Sequence, residues 1–264
     1  MDITDIRWMD LILGYGLLIL PILIFWYYET GLVKESLIAI IRMTIQLILI
    51  GLYLEFIFQI DSVLLNIGWV ILMITIATYT VSTRSELNKK YFLLPVLLAT
   101  LVTIMIVDAY FLNFVIKLEN TFTARYFIPI TGMILGNILK SNIIALNSFY
   151  GDLHRNMSYY RYALGNGATR SEALKPFMRK SLKQAFNPTI ATMAVVGIIS
   201  LPGMMTGQIL SGSNPNLAVK YQIMIMITIF VTGTVSTWLT IKIANTFVFD
   251  DFDNPVDKLI SETK

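Results

Sequence analysis

Asp108 stands in the stretch "TLVTIMIVDAYFLNFV", where most neighbours are apolar. An acid at the centre of a bilayer costs about 2.5–3.5 kcal/mol on insertion scales, so a carboxylate kept there marks a place for cation contact. Arg42 and Gln46 lie four residues apart in "RMTIQLILIG", on one face of a helix, and Glu55 follows towards the end of the same run. Arg42 either snorkels to a nearby interface or lines a polar route. Asn137 and Lys140 interrupt another apolar run, and a deep lysine needs a carboxylate or an aqueous cavity. First-row transition metals bind imidazole, thiolate or carboxylate. The chain has one histidine, His154, and no cysteine, so no metal site is assigned. Met133, Met204 and Met205 are soft ligands better matched to Cu(I), or else adaptable packing at a moving interface. With no acid pair, histidine cluster or cysteine nucleophile in the spans, no catalytic residues are assigned.

The segment "SLPGMMTG", Ser200 to Gly207, breaks its own backbone inside an apolar run. Pro202 removes a donor and clashes with a preceding helical turn. In hydrocarbon such a break is tolerable only against protein or a water-filled cavity. Two readings follow for Ser200, Leu201, Pro202, Gly203, Met204, Met205 and Gly207: a packing kink, or a hinge lining the substrate route. Gly203 and Gly207 form a GxxxG pair, as do Gly132 and Gly136, a spacing that lets helices approach closely. Helix packing within the protomer or at a dimer seam is the expected use.

These residues must be carried by membrane helices. Of 264 residues 56% are hydrophobic and only 14% charged, with a mean hydropathy of +0.68, against about 25% charged in a soluble domain. Spans of roughly 20 apolar residues are expected at about 8–28, 37–59, 63–83, 91–116, 127–149, 187–210 and 217–243. The chain therefore reads as an all-α multi-pass membrane protein with about seven transmembrane helices, residues 1–249 forming the transmembrane domain. The acidic start "MDITDIRW" does not read as a signal peptide, so the first span is expected to be retained. Trp8, Trp26, Tyr27 and Tyr28 fall at span ends, where interfacial aromatics gather. The loops 29–36, 84–90 and 150–186 hold Lys34, Arg84, Lys89, Lys90, Arg155, Arg161, Arg170, Lys175, Arg179, Lys180 and Lys183. The other side holds Arg7, Lys117 and Arg125. Cytoplasmic loops carry the excess of basic residues, so the N-terminus is expected outside and the C-terminus in the cytoplasm of a bacterial plasma membrane. The acidic tail 250–264 reads as a solvated end or as a metal-sensing patch.

Residues 150–186 are the one large cytoplasmic loop expected, too short for a catalytic domain. "MSYYRYAL" suits a short helix, "GNG" stops it, and "TRSE" restarts another, with Thr169 as cap and Glu172 closing a capping box. Pro176 is expected to limit or kink that second helix. The unit suits either docking to a partner or an interfacial connector bound to lipid headgroups.

"YALGNGATRSEALKPFMRKSLKQAFNP", "GIISLPGMMTGQILSG", "AVKYQIMI", "FIPITGMILGN" and "RMTIQLILIG" together resemble the FetB (YbbM) type of ABC-transporter permease over roughly residues 35–245. The family is described as iron exporters, with plant relatives linked to aluminium tolerance. The loop also resembles the coupling loop of ABC permeases: Gly167, Ala168 and Thr169 match its "GAT" turn, and Ala163 and Leu164 lie on the helix before it. Gly165 and Glu172 complete the stretch expected to meet the ATPase. Arg161 and Tyr162 stand where that helix usually carries an acid. The resemblance implies a permease homodimer driven by a separate ABC ATP-binding subunit, which would hold ATP and Mg; this chain would bind no cofactor and no nucleic acid. "GMILGNILKS" has the wrong spacing for a P-loop, so hydrolysis belongs to a partner chain. The competing reading is an autonomous ion channel or secondary transporter, for which no internal repeat speaks.

Overall fold

The computed structural model describes residues 8–256. The N-terminal acidic residues, Arg7, the Trp8 side chain and tail residues 257–264 lie outside the described residues. Within them the regular structure is helical, with two isolated bridges, Val196 to Ser200 and Phe249 to Pro255. Among the described residues six helical stretches are long and apolar enough to cross a membrane: Met9–Tyr27, Leu32–Ile60, Val63–Arg84, Lys89–Val115, Ala124–Arg155 and Pro215–Val248.

Two compact units share the chain. The first holds α1 (Trp8–Gly16), α2 (Ile19–Tyr27) and α3 (Leu32–Ile60), with the 210–212 turn. The expected first span is thus two short helices broken at Leu17–Leu18. The Tyr15 and Thr44 hydroxyls hydrogen-bond each other across this unit. Arg42 and Gln46 are both exposed on α3.

The second unit holds α4 (Val63–Arg84), α5 (Lys89–Tyr110), α6 (Ala124–Arg155), α7 (Met157–Gly165), α8 (Arg170–Val195), α9 (Gly203–Leu210) and α10 (Pro215–Val248). Local chemistry sets several starts. The Asn88 side chain accepts from the Lys90 amide at 3.2 Å, and Asn214 from the Asn216 amide at 2.9 Å with Pro215 in the first turn. The 187–210 run is not one helix: α8 passes through Pro176 and Pro188 to Val195, and the chain then leaves the helix until Gly203. Pro176 does not limit α8.

The core has two clusters along α6. One gathers Val70, Ile74, Phe111, Leu112, Phe127, Ile134 and Ile225. The other gathers Leu87, Phe92, Phe149, Tyr150, Leu153, Tyr160, Phe177, Phe186 and Phe249. The second cluster therefore brings the α4–α5 loop, α7, the start of α8 and the end of α10 to one end of the bundle. At 32 and 34 residues, α6 and α10 are about 48–51 Å long at 1.5 Å per residue. That exceeds the roughly 30 Å of hydrocarbon. Asp152, His154 and Arg155 at the last turns of α6 mark the end that protrudes.

Small polar side chains occupy the helix seams, as membrane packing favours. Asn142 on α6 accepts from the Thr237 hydroxyl at 2.9 Å and faces Ser236, both on α10. Thr103, Thr228 and Thr232 turn their hydroxyls back to carbonyls of their own helices. Gly233 gives α10 a tight approach to α6 and α8: a Cβ there would lie 3.1 Å from Phe186 Cε1 and 3.5 Å from Ser141 Oγ. Gly233→Leu is expected to overpack this seam and lower thermal stability in detergent by about 1–3 kcal/mol; Gly68→Leu, on α4, where a Cβ meets nothing within 4 Å, is the control.

Candidate functional site

The most elaborated surface feature is the knob formed by α7, a short turn and α8. The turn closes α7 with two backbone bonds: Ala168 N–H donates to Ala163 C=O at 3.1 Å, and Gly167 N–H to Leu164 C=O at 2.9 Å. This pairing satisfies the last carbonyls of a helix and needs a left-handed residue. Gly167 supplies it, with φ +88°. Thr169 then caps α8: its hydroxyl accepts from the Glu172 amide at 3.4 Å, while Glu172 Oε2 accepts from the Thr169 amide at 2.9 Å. The expected capping box is present, and those bonds hold the Glu172 carboxyl below its ordinary value. Gly165, Gly167, Thr169 and Glu172 are exposed, Ala163, Leu164 and Ala168 half-buried, and Tyr162 is 70% exposed.

Beneath this exposed edge the knob is anchored. Asp152, only 4% exposed, pairs with Arg155 at 2.5 Å and with Lys180 of α8 at 2.6 Å. The Ser181 hydroxyl donates to Ala145 C=O at 2.8 Å. The segment after α10 closes from the other side. The Asp250 carboxylate accepts from the Phe252 and Asn254 amides, and Val256 N–H donates to Val248 C=O. This tight loop docks on the knob: Tyr160 Oη donates to Asp253 C=O at 2.9 Å, Arg170 pairs with the Asp253 carboxylate at 3.2 Å, and Arg170 lies 5.6 Å over the Phe249 ring. The tail's first residues are thus built into the knob rather than frayed.

Burial, then the nearby Asp253 charge, push the Tyr160 phenol up to about 12. The ordinary value is about 10. A group raised on folding contributes stability that is complete below its unfolded value and lost as pH climbs through the folded one. The docked loop is therefore expected to loosen between about pH 10 and 12. Proteolysis near residue 250 should follow that rise in the native chain and be advanced at all pH values in Tyr160→Phe.

The 196–202 break repairs itself. Gly197, at φ +86°, donates to Ser200 C=O at 2.9 Å, and Ile199 N–H reaches Val195 C=O at 3.0 Å. Pro202 sits just ahead of α9, and its carbonyl accepts from the Thr206 amide at 2.9 Å. The proline thus starts a helix instead of kinking one. Ser200, Leu201, Gly203, Met204 and Gly207 are exposed, while Pro202 and Met205 are half-buried. Gly203 and Gly207 have open space where a Cβ would stand.

The intramembrane polar residues do not converge. Asp108 is 3% exposed and accepts from the Thr131 hydroxyl at 2.6 Å. Asn137 donates to Met133 C=O of its own helix at 2.9 Å. Lys140 is exposed on the same face of α6 as Gly136 and Asn147. Gly132 approaches α4 closely, its Cβ position lying 2.9 Å from Met73 Cε, whereas Gly136 meets nothing. Among the described residues no three His, Cys, Asp or Glu side chains gather as a metal site would require. Sequence reasoning passed over Tyr160, Asp253, Asp152, Gly197 and Gly233. Only the Asp152–Arg155 spacing and the positions of the glycines carried any local signal.

Residues 8–249 match the family described as "Uncharacterised protein family (UPF0014)". The chain is 32% identical to the UPF0014 membrane protein slr1647 of Synechocystis over 237 residues, 90% of each chain. It is 31% identical over 228 residues to the "Probable iron export permease protein FetB" of Escherichia coli, 86% of each chain. It is also 31% identical over 228 residues to "Protein ALUMINUM SENSITIVE 3" of Arabidopsis thaliana, covering 83% of this chain and 79% of that one. No solved structure matches. The resemblance to the FetB type is borne out across the helical bundle and the knob alike, and the chain is a multi-pass membrane protein that belongs to the UPF0014 family.

Proposed function

We propose that this chain is the membrane subunit of an ATP-driven exporter of metal ions, iron among them, working as a homodimer with a separate ATP-binding subunit. The observation that carries the reading is the knob. Its edge is exposed at Tyr162, Gly165, Gly167, Thr169 and Glu172, yet its base is tied to α6 and to the loop after α10. From the capping box, α8 runs unbroken for 26 residues. A push at Thr169 is therefore delivered about 24 Å along the helix to Phe186, where α8 meets Gly233 of α10. That is the lever an external motor needs. ATP and Mg belong to the partner, because no P-loop stands in this chain.

The basic loops support an inside knob, an N-terminus outside and a cytoplasmic C-terminus. A seventh crossing, by α8 and α9, is supported by chain parity. Leu153 at the end of α6 and Phe249 just after α10 belong to the cluster at the knob end, whereas Ile225, in the first half of α10, belongs to the opposite cluster. A single further crossing by the chain between them is consistent with this placement. Segment 200–207 then lies on the route or at its hinge. The bare Gly203 and Gly207, the exposed Ile198 and Ile199, and the stripe of Gly136 and Lys140 on α6 suit a seam with a second copy.

The test is transport of Fe²⁺ and Mn²⁺ in vesicles holding this chain with or without the ATP-binding subunit co-expressed beside it. Movement that requires both the subunit and ATP is expected. Equal movement by this chain alone would make it an autonomous carrier and end the proposal.

A further inference from the structure

A cavity of about 620 Å³ opens between α4 and α5 in the half of the bundle away from the knob. Its walls are apolar, Ile74, Ile104, Met105 and Phe127 among them, and Asp108 supplies the one charge among its lining residues. Asp108 is buried; Oδ2 takes the Thr131 hydroxyl, and Oδ1 has no hydrogen-bond partner among the described residues. Just past Asp108 the helix widens into a π-helical turn, Phe111–Val115, where the Ile116 amide reaches back five residues to Phe111 C=O. Such turns recur at functional sites. This one carries Asn113 to the cavity wall, where its Oδ1 accepts from the Thr121 hydroxyl at 2.5 Å.

Three ligand classes compete for such a space. A bare Mg²⁺ or Ca²⁺ needs at least six oxygen ligands, and here Asn113 Oδ1 is already engaged, leaving one free carboxylate oxygen. An anion or a neutral solute leaves a buried acid uncompensated. A large organic cation fills apolar volume with its body and meets the carboxylate with its charge. The volume falls in the usual 300–1,000 Å³ range of small-molecule sites, which are mostly apolar with few polar groups. Ile71 and Met105 of the lining are exposed apolar side chains on helices long and apolar enough to cross a membrane, which suits entry of a cation partitioned into lipid.

We propose that the Asp108 cavity is a binding site for hydrophobic organic cations, entered from the bilayer and separate from the ATP-driven metal route. It requires neither the ATP-binding subunit nor a second copy, so its fate does not follow that of the transport reading.

The experiment is equilibrium dialysis of tetraphenylphosphonium against the full chain in zwitterionic nanodiscs, corrected with empty discs. Tetraphenylborate, of the same shape and opposite charge, is the comparison. Saturable binding of the cation, at least tenfold tighter than the anion, is expected. Asp108→Asn keeps the acceptor for Thr131 and should weaken the cation at least tenfold while leaving the anion unchanged. Ala109→Trp fills the mouth without touching the acid and should abolish binding of the cation, which decides the matter where Asp108→Asn does not fold. Equal binding of cation and anion, or unchanged binding in Ala109→Trp, overturns the proposal. Displacement of the bound cation by millimolar Fe²⁺ or Mn²⁺ also overturns it, because the acid would then serve the metal route.

Discussion

Gly167→Val is expected to uncouple ATP hydrolysis from transport while the chain still inserts and folds. A β-branched residue at φ +88° meets the penalty of left-handed backbone, roughly 1–2 kcal/mol. The two bonds closing α7 depend on that conformation. The turn therefore opens, and Ala168 and Thr169 leave the position from which α8 begins. The bundle does not share the loss, since Gly167 is exposed and no atom lies within 4 Å of its Cβ position. Association with the ATP-binding subunit should weaken by about tenfold, the equivalent of 1.4 kcal/mol, with thermal stability of the bundle almost unchanged. Gly68→Ala, on α4 outside the knob and with open space at its Cβ position, is the control. Full coupling in Gly167→Val would show that the knob's edge meets no motor.

The double variant Arg155→Met/Lys180→Met is expected to cost the most stability of any change outside the hydrophobic core. Asp152 is buried, and both its oxygens are taken by these two cations. Removing both strands a carboxylate, for which about 3–5 kcal/mol is typical. The lower end, about 3 kcal/mol, is expected, because the Arg155 and Lys180 side chains are themselves 70% and 56% exposed. Adding Asp152→Asn should recover most of the loss, since no charge is then left behind. Thermal unfolding in detergent, with proteolysis across 155–175, reads both the loss and the rescue. Failure of Asp152→Asn to rescue would mean that packing, not charge, ties the knob to α6.

Much of the knob is legible in the sequence. Thr169 and Glu172 stand at the spacing a capping box needs, and Gly167 lies where a helix must end. Both signals act over a few residues, so neighbours alone decide them. The same locality misled at Pro202 and, as to a helix end, at Pro176. A proline in an apolar run reads as a kink, but Gly197 had already turned the chain, so Pro202 begins α9. Pro176 rides within α8 in a helix held by Ala173, Leu174 and Phe177 in the core. The acidic tail read as solvated because its charges are visible, whereas its partners Tyr160 and Arg170 lie about ninety residues earlier.

Hydropathy and charge placement alone established a helical, multi-pass membrane protein, because burying about 20 apolar residues in lipid is a one-dimensional property. They also marked Asp108 as costly. Which groups would surround Asp108 was decided by folding. Thr131 arrives from α6, the π-turn brings Asn113 to the same cavity, and one carboxylate oxygen is left without a hydrogen-bond partner among the described residues. Pairing across helices depends on how side chains far apart in the chain fill a shared volume, and no short window of residues holds that information.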